Sequence, residues 1–518
     1  HLSVASFLLF YQCLLWKGQQ HCRVYPAIAM PSTPSSRKSA ATEKILDLPL
    51  ESAEGTYGMT LLEVEDGTAK AEKKKGASIG SSVFNLSNTI LGSGTLAMAY
   101  AVKTTGIGIF AILLGLVACM ADFGIGLLIQ SVELIHSKTE VQYPDVGRNA
   151  MGTAGRLLAS LSVILQQFGA CCAYVVIIAD VLTPIIQMII TDPYSPLCER
   201  WFWQLLIVLL IIFPLCLLKK MDSLKYTSFV ALGLIAAYTL AVFVVGSYTA
   251  AHPGLRSSFI DGFANETVIR SVCANVVNAS VPTSNITTNC SGPGNDVIFF
   301  RGSVDFINAL PIISFSFLCH MNVFPIYAEL AHKSPKRMAK VTHGSMGVCF
   351  SVYFVAGVFG YLIFLEATKG DLLKNFLTSG TPIATLMDVL RVGFGVALIF
   401  SYPVVIFECR HCVDELCFGH RPYSFKRYLV LNIIIIGLST IVGILVSSVT
   451  TVLGLVGSTC SPLIVFILPA AFYLKLDTSP RFSSKRVISW IMLVFGILLI
   501  PLCIAGWVYG LALPNPCS

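Results

Sequence analysis

The run SVFNLSNTILGSGTLAMAYAV, starting at Ser82, holds Gly92-Ser93-Gly94 near its centre and two amides, Asn85 and Asn88, just ahead of it. Glycine lets a chain unwind and lets a ligand approach the backbone. The half-helix that resumes after such a break presents free N–H groups suited to a carboxylate. Small residues also serve close helix packing, so this segment alone leaves both readings open. A second run, NALPIISFSFLCHMNVFPIYAEL, carries Pro311, Ser314, Ser316, His320, Asn322 and Pro325 within one membrane-length stretch. His320 is a candidate proton-linked group or a satisfied structural histidine. In LRVGFGVALIFSYPVVIFECR, Ala397 and Ser401 are four apart, so a carbonyl and a hydroxyl share one face. Pro403 frees a carbonyl ahead of it. Such oxygens suit a hard cation such as sodium, and the same spacing serves a plain kink. Asp122, in MADFGIG, is a carboxylate inside an apolar run: an ion or relay group, or a buried partner of a basic residue. Asp180, Glu133 and Glu366 stand near helix ends, where an interfacial place is expected.

The elements that must position these residues are membrane helices. The 518-residue chain is 55% hydrophobic and 12% charged, with mean hydropathy +0.75. A soluble chain carries about 25% charged residues. Lipid offers no partners to backbone polar groups, so apolar runs of this length must be helical. Eleven are expected, at about 79–102, 106–135, 157–190, 201–219, 226–250, 303–328, 341–366, 382–408, 428–448, 451–474 and 487–511. The third is long enough to include a membrane-surface extension. The net charge of +7 does not imply nucleic acid, because Lys and Arg gather in short loops between apolar runs. The cysteines are dispersed, and Cys171 and Cys172 read as packing residues inside an apolar helix.

Residues 1–77 read as a disordered N-terminal region, ending in Lys73-Lys74-Lys75. Within it, 1–29 is set apart: it lacks an initiating Met, and Met30 makes a more natural start. Residues 78–518 form the membrane domain. Basic residues recur in alternate loops, among them Lys138, Lys219, Lys336, Arg427 and Lys485. This puts the N-terminal tail in the cytosol and, with an odd number of spans, the C-terminus outside. The long loop 251–302 then falls outside. It holds four N-x-[ST] sequons at Asn265, Asn278, Asn285 and Asn289. Its Cys273 and Cys290 either pair in an oxidising compartment or stay free.

Spans one and six occupy matching positions if helices 1–5 repeat inverted as 6–10. Paired interruptions at such positions point to a transporter's substrate site. The same segments carry a resemblance. SVFNLSNTILGSGTLAMAYA, FSFLCHMNVFPIYAEL with SPKRMAKVTH, and SPLIVFILPAAFYLKL resemble the sodium-coupled neutral amino acid transporters of the amino acid/auxin permease group. ADFGIGLLI, GYLIF with GDLLKNF, and the SYP of span eight look closest to a less characterised branch. The resemblance implies an eleven-helix, five-plus-five inverted-repeat fold and symport of glutamine, alanine or asparagine with sodium. By position it implies that Asn88 and Ser401 serve sodium, and that Gly92, Ser93 and Gly94 receive the amino acid's carboxylate and amine. Ile399 and Ser401 stand where better-known members often have two threonines, so one hydroxyl is missing.

The expectation is therefore an all-α, polytopic membrane protein with discontinuous helices one and six, working as a secondary active transporter by alternating access. Substrate contacts are assigned to Gly92, Ser93, Gly94, Ser314 and Ser316, and sodium to Asn88, Ala397 and Ser401. Asp122 and His320 are the ion- or proton-linked candidates. Sodium is the coupling ion; no other metal and no cofactor is expected. The partners are a neutral amino acid and the bilayer, the location the plasma membrane rather than the lysosome, and the oligomeric state is open. Proton coupling, or an amino-acid sensor of the same fold, is the alternative. An enzyme is not expected, since no nucleophile or metal pattern surrounds Asp122 or His320.

Overall fold

The computed structural model describes residues 76–135, 141–189, 199–217, 224–252, 297–302, 304–376, 382–419, 421–446, 448–480 and 483–512. The four sequons, Cys273, Cys290 and the N-terminal region through Lys75 lie outside the described residues. Among the described residues, secondary structure is helical apart from one isolated parallel bridge between Ala77 and Leu330. Nine helical stretches there are long and apolar enough to cross a membrane. Two further apolar segments are shorter.

The first of these is the opening span, which is two helices rather than one: α1, Ile79–Ile90, and α2, Gly94–Thr105. At twelve residues each, neither half reaches across about 30 Å of hydrocarbon. Ser78 caps α1, its side chain accepting from Ser81 N–H at 3.2 Å. Helix α3 is Ile107–Ile135 and α4 is Tyr143–Ile189. The latter is kinked at Met151–Gly152, where Gly152 has φ +66°. That left-handed conformation suits a residue without Cβ, and it marks off a short N-terminal helix from the long span behind it. The second short segment is α5, Arg200–Cys216, which has a π-helical stretch at Val208–Ile212. Helix α6 is Leu224–Ala251.

The sixth span is also divided. A 3-10 turn, Val304–Asn308, leads into α7, Ala309–Ser316; after a second turn at His320–Asn322, α8 runs over Val323–Glu329. Pro325 lies in the first turn of α8, where no backbone hydrogen bond is lost to it. Helix α9 is Pro335–Phe364, with Ser334 as its cap and Pro335 at its first position. Four more follow: α10, Pro382–Phe418; α11, Phe425–Leu445; α12, Val449–Leu476; and α13, Ser484–Ala512. Helix α10 extends ten residues past the expected 408, carrying Arg410, Asp414 and Glu415 out of the apolar stretch. Ion pairs hold that extension: Arg156 to Glu415 at 2.5 Å and Arg427 to Asp414 at 2.5 Å.

The packing order explains why the divided spans sit at the centre. Helix α9 lies against α1, α2, α3 and α6, α7 is held between α2 and α12, and α4 packs on α10, α11 and α12. Glycines let these helices close up. A Cβ on Gly457 of α12 would come within 2.8 Å of the Pro311 carbonyl carbon in α7.

Candidate functional site

The two breaks meet. Helix α1 ends at Ile90, Leu91 turns extended (φ −74°, ψ 114°), and α2 resumes from Ser93. The chain is held through the turn by Thr95 N–H donating to the Gly92 carbonyl at 3.1 Å. Helix α7 ends at Ser316, and Cys319 (φ −145°, ψ 6°) carries the chain out of helical geometry before the His320 turn. A Cβ placed on Gly94 would come within 2.9 Å of the Ser316 Cβ, and closer still to its Oγ. A Cβ on Gly92 would lie 3.0 Å from the Tyr174 hydroxyl of α4. Gly92, Gly94 and Ser316 are thus brought together, with Tyr174 as an added neighbour.

The hydroxyls of Thr95 and Ser314, each beside one of the breaks, are buried and have no hydrogen-bond partner among the described residues. Buried polar atoms in folded proteins are nearly always paired, so a group of them left open marks a place for a polar ligand or water. Ser316 differs: its Oγ donates to the Ile312 carbonyl at 2.8 Å. Ser93 is buried, with no capping bond from its side chain. The helix terminus opened by the break offers N–H groups of the kind that receive a carboxylate.

Helix α9 supplies what the sequence did not single out. The Tyr353 hydroxyl lies 2.7 Å from the Ile90 carbonyl and 2.9 Å from the Ser316 carbonyl, the last residues of α1 and α7. The only signal in the sequence is one tyrosine in an apolar stretch, which by itself says nothing of a role.

The remaining assigned residues fall into separate places. Ala397 and Ser401 adjoin on α10, and the Ser401 hydroxyl donates to the Ala397 carbonyl at 2.9 Å, a bond that uses its proton and leaves its oxygen lone pairs. Helix α10 packs chiefly on α4 and α6. Asn88 is half-buried on α1, and among the described residues no hydrogen bond joins it to Ser401. His320 is fully buried against α3, where a Cβ on Gly124 would lie 3.1 Å from its Nε2. Asp122 pairs with His343 of α9, Oδ2 to Nδ1 at 2.7 Å. The sequence left a relay and a paired carboxylate open for Asp122, and the structure supplies a partner. The pair borders a cavity of about 80 Å³ lined also by Gln130, Pro335, Met338 and Thr342.

A second polar cluster lies at the C-terminal end of the α4 span. Asp180, read from sequence as interfacial, has only 6% of its side chain exposed. It pairs with Arg200 at 2.9 Å and Lys374 at 2.8 Å. Buried Arg391 bonds the Leu373 carbonyl, and Asp371 accepts from Leu373 N–H at 2.9 Å. Burial, with the Asp180 charge adding to it, pushes the Asp371 carboxyl up to about 6. Cys409 and Cys412, a C-x-x-C pair on α10, are both free and buried. No group of three or more His, Cys, Asp or Glu side chains could hold a metal among the described residues.

A polytopic helical membrane protein whose two interrupted helices meet at a polar, buried break has the architecture of a transporter. Residues 75–509 match the family described as transmembrane amino acid transporter protein, and the chain belongs to that family. Its members are transporters, not enzymes. Among solved structures, the chain is similar to MhsT in complex with L-phenylalanine, at 14% identity and a TM-score of 0.47. That alignment covers 82% of this chain and 99% of the other.

Proposed function

We propose that the chain is a secondary active symporter of small neutral amino acids, binding its substrate where the first and sixth spans are interrupted. The observation that carries this is the close approach of Gly94 to Ser316 beside buried hydroxyls with no partner. In this reading the chain crosses the membrane eleven times as two inverted five-helix repeats plus α13, with the divided spans counted as single crossings. The N–H groups around Gly92, Ser93 and Gly94 take the carboxylate. Ser314 and Ser316, together with carbonyls at the breaks, take the amine. Glutamine, alanine and asparagine are the substrates that the family resemblance implies.

Sodium is the coupling ion in this reading, served by Asn88, the Ala397 carbonyl and the Ser401 hydroxyl. The N-terminal tail faces the cytosol and the 251–302 loop faces outside, with Asn265, Asn278, Asn285 and Asn289 glycosylated and Cys273 bonded to Cys290. The plasma membrane is the site of action. Uptake of labelled glutamine or alanine into proteoliposomes, at a clamped proton gradient, tests the proposal. Uptake should fall when choline replaces sodium; uptake that does not change removes sodium coupling. A proton-coupled reading has one observation in its favour, the Asp122–His343 pair at a cavity between α3 and α9. Uptake driven by an inward proton gradient without sodium would select it.

A further inference from the structure

We infer that Tyr353 is a positioning residue that holds the two interrupted helices together as one moving unit. This rests on the transport reading for its effect on uptake, but the geometry stands alone. The ring is fully buried, and Phe317 packs edge-on against it with centroids 5.4 Å apart. Phe317 is the first residue beyond α7, so the break itself orients the ring. The hydroxyl then reaches two carbonyls far apart in sequence, those of Ile90 and Ser316. Both belong to the last turns of half-helices, where carbonyls have no partner within the helix. A phenol has one proton, so the two carbonyls share it, each bonded through it or facing it.

A second tie lies elsewhere on the same two spans. Ala77, just before α1, donates to the Glu329 carbonyl at 2.8 Å and accepts from Ala331 N–H at 3.0 Å, just past α8. The entry of span one and the exit of span six are therefore joined, and Tyr353 joins them again at the breaks. Two ties at separated points resist relative rotation as well as separation, which one tie alone would not. The tyrosine comes from α9, which packs along α1 and α2, so a shift of α9 moves both breaks in register.

Tyr353→Phe removes only the oxygen and leaves the ring contact with Phe317. It leaves the Ile90 and Ser316 carbonyls buried without their partner. The expected result is a KM for the transported amino acid raised about tenfold, the loss implied when buried acceptors lose their donor. A readout independent of transport is site-resolved alkylation by mass spectrometry. Cys319, fully buried in the span-six break, should label several-fold faster in the variant, while buried Cys171 of α4 should not change. Unchanged Cys319 labelling would overturn the tie. Faster labelling with an unchanged KM would overturn its role in placing the substrate site. A wild-type protein that takes up no amino acid would defeat the transport reading while the labelling still decides the tie. Should Tyr353→Phe fail to fold, Phe317→Leu, which frees the ring but keeps the hydroxyl, must accelerate Cys319 labelling in the same direction; no acceleration overturns the proposal.

Discussion

Replacing Gly94 by alanine is a direct probe of whether the two breaks form one site. Gly94 does not have a positive φ, so alanine is acceptable to the backbone and the objection is space alone. Its Cβ would come within 2.9 Å of the Ser316 Cβ, with the Oγ nearer. Ser316 is poorly placed to yield: Tyr353 bonds its carbonyl, and its Oγ bonds Ile312 at 2.8 Å. Overpacking of this kind costs about 1–3 kcal/mol. Ser316→Gly removes the two obstructing atoms and leaves the Ser316 Cα at 3.4 Å, an ordinary contact. Its own cost is about 0.5 kcal/mol, the difference in helix preference. In a double-mutant cycle read by Tm and by uptake KM, Gly94→Ala should destabilise the wild-type background by about 1–3 kcal/mol and raise KM by displacing Ser316. In the Ser316→Gly background most of both effects should vanish. Equal effects in both backgrounds, within about 0.5 kcal/mol, would refute the reasoning, because independent sites add.

Gly92→Ala should be milder than Gly94→Ala, since it meets only the end of Tyr174 at 3.0 Å; a reversed order in uptake KM would count against the geometry. Asp371 gives a pH prediction. Its carboxyl is pushed up to about 6 in the folded protein, so the folded state holds a proton that the unfolded chain releases near pH 4. Stability from this group is therefore greatest below that range and falls as pH rises to about 6. Asp371→Asn keeps an oxygen for Leu373 N–H and should raise stability at about pH 7.5 by up to roughly 3 kcal/mol, with little change at about pH 4. Thermal unfolding in detergent decides it, and parallel pH slopes for the two proteins would exclude it. Asp180→Asn should lower the Tm, because it removes the buried carboxylate that the partly exposed Arg200 and Lys374 share; adding Lys374→Met should restore part of the loss. No restoration would mean that the pair is not coupled.

Much of the membrane architecture was legible because it rests on composition and on rules that lipid enforces. The breaks were legible too, since Gly92-Ser93-Gly94 and the Pro311–Pro325 stretch have the residues that unwind helices. What joins them was not. Tyr353 reads as one more aromatic in VYFVAG, and its role depends on how α9 packs beside α1 and α7. Asp122 shows the same limit: its place inside an apolar run is visible in sequence, but the pairing with His343 arises where α3 and α9 cross. Asp180 looked interfacial because it stands near a helix end, yet residues about twenty and two hundred positions away close over it. The Gly152 kink lay upstream of the expected third span, since its glycine stands in a polar segment rather than an apolar one.

Equilibrium binding of labelled glutamine and alanine to the purified protein is the most direct measurement of the central claim. The wild type should bind at least one of them saturably, and Gly94→Ala should weaken that binding about tenfold or more. Saturable binding that Gly94→Ala leaves untouched would place the amino acid elsewhere and contradict a site at the joined breaks.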